Sequence, residues 1–344
     1  LLLDECRVPV VLAPLAGGLS TPELCAAVSE AGGLGFLAAG YLAAAELAAR
    51  IDRTRELTAR PFGVNLFVPT TGRDPAEVEA YARRLDPEAR KAGVRLGEPR
   101  ADDADWQAKL DLLTASPVSL ASFRFGCPPS DIVARLRRVG SEVWVTVTSV
   151  EEAHLALNAG ADGLVVQGLE AGAPRWLHRY GRGHGPAGAA AAHRVRRLPP
   201  LIAAGGITTG AGLAAILAAG ARAGAMGTAF LRCPEAGTSL MHRNALEQPH
   251  ATALTRAFTG RLARGVRNRF LDEHSDAAPS AYPQVHHLTA PLRAHGRSVG
   301  DPDLVNLWAG QAYPLAATQP AGDVVRRVAE EARAALDRAR LVLD

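Results

Sequence analysis

Three short apolar runs, each closed by glycine, limit what this chain can fold into. They are Gly163–Gly172 (GLVVQGLEAG), Leu201–Ile207 (LIAAGGI) and Ala223–Thr228 (AGAMGT). An unbroken apolar run bounded by glycine suits a strand buried on both faces, as in a parallel sheet covered by helices. A helix-like Ala/Leu segment, Ala211–Ala219, separates the last two runs. In such folds ligands bind beyond the carboxyl ends of the strands. Gln167 stands at that end, followed by Gly168, Glu170 and Gly172. Its amide offers a donor and an acceptor to the edge of a heterocycle, and the glycines let backbone approach a ring or a phosphate. A plain strand-to-helix turn accounts for the same residues without any ligand. Loops after the last two strands of a (β/α)8 barrel often hold phosphate. The N–H groups beside Gly205, Gly206, Gly227 and Thr228 are placed to do so.

The chain before these runs repeats the alternation. Strands are predicted at Arg7–Pro14, Leu34–Ala39, Pro61–Phe67, Pro117–Phe123 and Glu142–Val147. Helices are predicted after Ser20 or Thr21, over Ala43–Thr58, over Asp131–Val139, and over Val150–Ala159 with Thr148 or Ser149 as cap. With the three glycine-closed runs the count is eight strands, which predicts an α/β (β/α)8 barrel. Asn65 is polar within an apolar strand and needs a partner when buried; a cofactor edge and the backbone of a neighbouring strand are both open. Residues 74–115 are polar and helical in pattern and read as helices inserted on the barrel. From about residue 239 to 344 the pattern changes. Ser239–Phe270 reads as mixed helical and basic, Asp272–His287 as irregular, and Asp323–Leu341 as an amphipathic helix. The whole chain, 1–344, thus reads as one barrel domain with a C-terminal helical extension packing over it.

Composition excludes several classes. The 344 residues are 48% hydrophobic, enough for one large core. No apolar stretch reaches the roughly 18 residues of a membrane span, and a net charge of +3 argues for neither nucleic acid nor membrane as partner. Leu1–Leu3 followed by Asp4 and Glu5 is too short and too acidic for a signal peptide. Cys6, Cys25, Cys127 and Cys233 lack CxxC spacing and read as reduced thiols, so a cytoplasmic location is expected. Only Cys127, in FGCPP, stands beside a strand end. His242, His286 and His287 form no metal-ligand pattern with Cys or acids, and no metal is expected. Oligomeric state is not legible.

At this point the chain resembles the nitronate monooxygenase family, formerly the 2-nitropropane dioxygenases. The resemblance rests on APLAGGLSTPELCAAVSEAGGLGFLAAGY, PFGVNLFVP, SFRFGCP, ADGLVVQGLEAG, LIAAGGI and AMGTAF, and on RAFTGRLARGVRNRF and DPDLVNLWAGQAY in the tail. It implies an FMN-containing TIM barrel that oxidises alkyl nitronates with O2 to carbonyl compounds and nitrite. It also implies that Asn65 and Gln167 hydrogen-bond the flavin ring region. Gly172, Gly206, Ala225, Met226, Gly227 and Thr228 would line ring and phosphate. At Ala225 the family often has Gln, so one side-chain contact is missing there.

The family's histidine is missing as well. It follows the glycines, as in EAGGHRG, and assists as a base or as a partner for the anion. Here the chain reads Glu170-Ala171-Gly172-Ala173-Pro174-Arg175, with proline in its place, so the catalytic residue is unassigned. His178 and His184 follow closely and are candidates to replace it. Ala173–Pro200 contains six arginines and no acid, and the basic character of the chain is local to it. If Gly172–Trp176 were coded GGG-GCA-CCG-AGG-TGG, reading from the second base would give Gly-His-Arg-Gly. The segment therefore reads as frame-shifted or foreign, with the frame restored before LIAAGGI. Nitronate oxidation is then expected to be impaired. Two other functions stay open: a flavin-dependent NAD(P)H:quinone or enoyl-acyl-carrier-protein reductase, and a flavin-binding protein without turnover.

Overall fold

Eight parallel strands wind into a barrel in the computed structural model, which describes residues 2–70, 75–174 and 199–343. They are β1 (Val10–Leu12), β2 (Gly35–Ala38), β3 (Phe62–Phe67), β4 (Leu120–Arg124), β5 (Glu142–Val147), β6 (Gly163–Gln167), β8 (Leu201–Ala204) and β9 (Ala223–Met226). The order is β1-β9-β8-β6-β5-β4-β3-β2, and a parallel bridge between Val11 and Leu34 closes the ring. All eight predicted strands are present. The register sets Gln167 beside Ala204 and Ala204 beside Ala225, so three strand ends share one rim.

The barrel interior is filled by side chains, as barrels of this size require. Phe36 and Trp144 are its largest members, with ring centroids 6.2 Å apart. They fit because glycine stands opposite each. A Cβ on Gly63 would lie 2.4 Å from the Phe36 ring, and one on Gly163 would lie 2.7 Å from Trp144. Leu2 and Leu3 plug the amino-terminal end of this core.

Helices cover the outside. α1 (Pro22–Glu30) is capped by Thr21, whose hydroxyl accepts from Leu24 N, and α6 (Val150–Asn158) by Ser149, which accepts from Glu152 N. α2 (Ala44–Leu57), α4 (Trp106–Ala115), α5 (Ser130–Arg138) and α7 (Gly210–Ala218) complete the described barrel helices. Of the stretch 74–115, α4 therefore belongs to the ring of helices, and α3 (Pro75–Lys91) is the insertion. None of the described helices is long and apolar enough to cross a membrane.

The tail differs from its predicted pattern. Ser239–Phe270 holds α8 (Leu240–Ala245) and a hairpin, β10 (Thr252–Thr255) with β11 (Ala263–Val266). Asp272–His287 is not irregular throughout: it overlaps α9 (Arg269–His274) and the start of α10 (Gln284–Val299). The hairpin strands are four residues long and carry Arg264, and α10 contains Pro291, so neither showed its periodicity. A short strand β7 (Ala173–Pro174) pairs antiparallel with β11. Helix α3 docks on this tail through Tyr81 and Leu85 against Phe258, Phe270, Leu288 and Leu292. Glu88 of α3 adds an ion pair with Arg269 at 2.6 Å, which Glu273 shares at 2.8 Å. The last helix, α11 (Ala321–Leu343), lies on the barrel flank against α1 and α7. Gly210 permits that close approach, since a Cβ there would meet Glu331 at 2.2 Å.

Candidate active site

A cavity of about 580 Å³ opens at the carboxyl ends of the strands, between the barrel rim and the tail. One end is a glycine cradle. Gly205 and Gly206 follow β8 with φ of +114° and +67°, in the left-handed region that glycine tolerates. Gly227 and Thr228 follow β9 and line the same end. Among the described residues, no carbonyl or side chain accepts from the N–H groups of Gly205, Gly206, Gly227 or Thr228. Thr228 Oγ1 instead accepts from Gly310 N at 2.9 Å, tying the cradle to the tail.

The loop after β6 is clamped by the same tail. Glu170 O accepts from Gln311 N at 2.9 Å, and Arg264 Nε donates to Leu169 O at 2.9 Å. Gly172 runs so close to the tail that a Cβ would meet Ala309 C at 2.7 Å. Gln167 is buried at the rim, and its Oε1 accepts from Arg124 Nη2 at 2.7 Å. That bond fixes the amide orientation, because a carbonyl oxygen must face the guanidinium.

The predicted site residues divide by position. Gln167, Gly172, Gly206, Ala225, Gly227 and Thr228 line the cavity. Asn65 does not: its Nδ2 donates to Ser122 O at 3.2 Å and Oγ at 2.8 Å, and Ser122 is the residue that faces the cavity. The neighbouring strand is thus the partner the sequence left open, although Asn65 Oδ1 stays buried with no hydrogen bond. Met226 is fully buried between barrel and helices. Cys127 lies outside the cavity, half-buried near Leu155 O, and burial pushes its thiol pKa up. His178, His184 and nearly all of Ala173–Pro200 fall outside the described residues. Pro174, where the resemblance led us to expect a histidine, pairs with Ala263 across β7 and β11.

The opposite wall was not legible in the sequence. Tyr41, Phe67, Phe125 and Trp308 line it, with Arg124, Arg293 and Arg297. No Asp or Glu lines the cavity among the described residues. His242 and His286 also face it. His242 Nε2 lies 3.1 Å from Trp308 O, and burial lowers its pKa to about 4. Burial, reinforced by Arg293, lowers that of His286 to about 2. Both rings are therefore neutral near pH 7. Arg124 and Phe125 lie in the SFRFGCP motif, but neither they nor the two histidines were marked as site residues by anything local.

A family model described as nitronate monooxygenase matches residues 2–331. The chain belongs to the nitronate monooxygenase family. It is 41% identical over 338 residues to the nitronate monooxygenase of Pseudomonas aeruginosa PAO1, covering 94% of this chain and 96% of that one. A probable nitronate monooxygenase of Staphylococcus aureus is 34% identical, with 93% of each chain covered. Among solved structures, the nitroalkane oxidase of Streptomyces ansochromogenes superposes with a TM-score of 0.94 at 45% identity, covering 100% of this chain and 99% of that one. FabK of Thermotoga maritima shares the fold, with a TM-score of 0.76 at 24% identity over 98% and 96% of the two chains. Membership of the nitronate monooxygenase family makes the chain a flavin-dependent oxidoreductase.

Proposed function

We propose that this chain binds FMN and oxidises alkyl nitronates with O2 to carbonyl compounds and nitrite. The observation that carries the reading is the cavity itself: a glycine cradle with unused N–H groups at one end, arginines and aromatic rings at the other, and no described carboxylate between. Both the cofactor's phosphate and the substrate are anions, and an acid-free lining suits each. The residues present fit FMN. Gly206, Gly227 and Thr228 are placed for the phosphate, and the small Ala225 and Gly172 line the cavity beside them. Gln167 presents its amide with Arg124 behind it.

A bound flavin supplies electron transfer from the nitronate and on to O2. The chain's own residues hold and shield. Gln167 fixes a polar edge of the site. Phe67, Phe125 and Trp308 exclude water, which strengthens every charge–charge interaction inside. Neutral His242 and His286 add no competing positive charge and are poor bases above about pH 4. Pro174 has no side-chain proton to move, so turnover slower than in histidine-bearing relatives belongs to this reading.

Mixing the flavin-loaded protein anaerobically with ethylnitronate is expected to bleach the flavin, whereas NADH and NADPH leave it oxidised. Fast bleaching by NAD(P)H and none by nitronate would transfer the chain to the quinone- or enoyl-reductase reading. Bound FMN with no nitronate-dependent oxygen uptake would leave a flavin-binding protein without turnover.

A second expectation concerns Gln167. Gln167→Leu removes the acceptor of Arg124 and a hydrogen bond to the flavin edge. The cost is on the order of 1–3 kcal/mol in FMN affinity or in stabilising the reduced flavin. An unchanged flavin spectrum, affinity and midpoint potential in this variant would reduce Gln167 to a strand-end residue.

A further inference from the structure

Two buried guanidiniums stand at the aromatic wall with no carboxylate paired to them among the described residues. Arg261 is 8% exposed and Arg293 6%. Arg261 is sandwiched between Phe125 and Tyr282, its Cζ 3.5 Å and 3.8 Å from the two ring centroids. Its Nη1 is buried with no hydrogen-bond partner, and its Nη2 reaches only Thr70 Oγ1 at 3.4 Å. Arg293 donates Nε to Thr289 Oγ1 at 3.1 Å and Nη2 to His286 O at 2.7 Å. Desolvation lowers the pKa of each to about 10, which leaves both charged at neutral pH. A buried charge without a counter-charge is costly, so these two call for an anion.

Both face Tyr41. Its ring stacks on His286 at 4.4 Å with the planes 8° apart, and stands edge-on to Phe67 at 5.6 Å. Its backbone has a φ of +70°, a strained conformation for a bulky residue and one that clusters at ligand sites. Tyr41 is 38% exposed as a residue, but its hydroxyl end is desolvated among its neighbours, which raises its pKa, while Arg261 and Arg293 pull the other way. The Tyr282 ring lies 6.5 Å from that of Tyr41, tilted by 59°, so the ring that flanks Arg261 also flanks Tyr41.

We propose that the Tyr41 hydroxyl, with Arg293 beside it and Arg261 behind it, is the subsite that receives the negatively charged oxygens of the substrate. Tyr41 donates to one oxygen. Arg293, which lines the cavity, supplies the nearest charge. Arg261 is a positioning residue: it acts through the rings of Phe125 and Tyr282 that it holds, and through its field. The inference rests on the nitronate reading and assigns the contacts that reading leaves open.

The test uses sodium nitrate, a planar and unreactive anion, titrated by calorimetry into the flavin-loaded protein. Nitrate is expected to bind. Tyr41→Phe, which removes only a hydroxyl, weakens it about tenfold, the loss expected for one hydrogen bond to a charged group. Arg261→Met weakens it as much or more, and Arg261→Lys recovers part of the loss because it keeps the charge. Flavin content in the variants stays that of the unaltered protein, which a merely structural role for Arg261 would not allow. No nitrate binding by the unaltered protein, or equal affinity in Tyr41→Phe, overturns the proposal. If Arg261→Met does not fold, Tyr41→Phe decides alone. Nitrate binding that depends on Tyr41, in a protein that oxidises no nitronate, upholds the subsite and removes the nitronate reading, so the two failures are distinct.

Discussion

Gly206→Val is expected to purify folded but nearly free of FMN. Valine at a φ of +67° strains the backbone, because the left-handed region is closed to β-branched residues. Its Cβ would also lie 3.2 Å from Glu170 Cβ, on the loop whose carbonyl holds Gln311. Strain of this kind costs about 1–3 kcal/mol. The cradle can relieve it only by shifting the N–H groups that face the cofactor, so the loss falls on FMN affinity, by roughly tenfold to a hundredfold. Gly220→Ala is the control. Its φ is +97°, but nothing lies within 4 Å of the added Cβ and it does not line the cavity. It should lose stability and keep its flavin. The flavin-to-protein absorbance ratio reads both variants, and full occupancy in folded Gly206→Val would move the phosphate elsewhere.

The barrel was legible because a strand buried on both faces can be little else than a continuous apolar run. Glu142–Val147 appears in the structure with the bounds its sequence predicted. The rim was legible for a related reason. The position of Gln167 or Gly206 at the carboxyl end of such a run fixes which side of the barrel it faces, whatever its role. Asn65 shows the limit. It lies inside a strand, and whether an inner side chain reaches the cavity or its neighbour depends on the stagger between strands, here Asn65 beside Ser122. The aromatic wall was hidden more deeply. Tyr41 and Phe125 sit at positive φ, a conformation their own residue types disfavour and only the surrounding packing imposes. Arg261, His286 and Arg293 come from tail segments whose turns and helix lack ordinary signals. Their convergence on Tyr41 is a product of the fold, with no trace in local spacing.

Nitronate turnover by this chain is expected to run at least about a hundredfold below that of relatives whose glycines are followed by histidine, the lower end of what a positioned proton-transfer group contributes. Pro174 cannot supply such a group, and it is held in the small sheet by its pairing with Ala263. The cavity's other histidines are poor substitutes. A histidine whose pKa is depressed to about 4 or about 2 takes a proton only below that pH, so His242 and His286 stay neutral where the enzyme works. His242 also has Nε2 engaged by Trp308 O. The composition of Ala173–Pro200, six arginines and no acid where a barrel expects its sixth helix, is what motivates the frame-shift reading. Two measurements settle the matter. Resequencing the gene shows whether the reading frame truly lacks the histidine codon. Oxygen uptake with ethylnitronate then compares this chain with a histidine-bearing relative. If the frame stands and the rates match, the damage reading fails, and with it the role assigned to the histidine, because a chain without that group would have done the same chemistry as those that carry it.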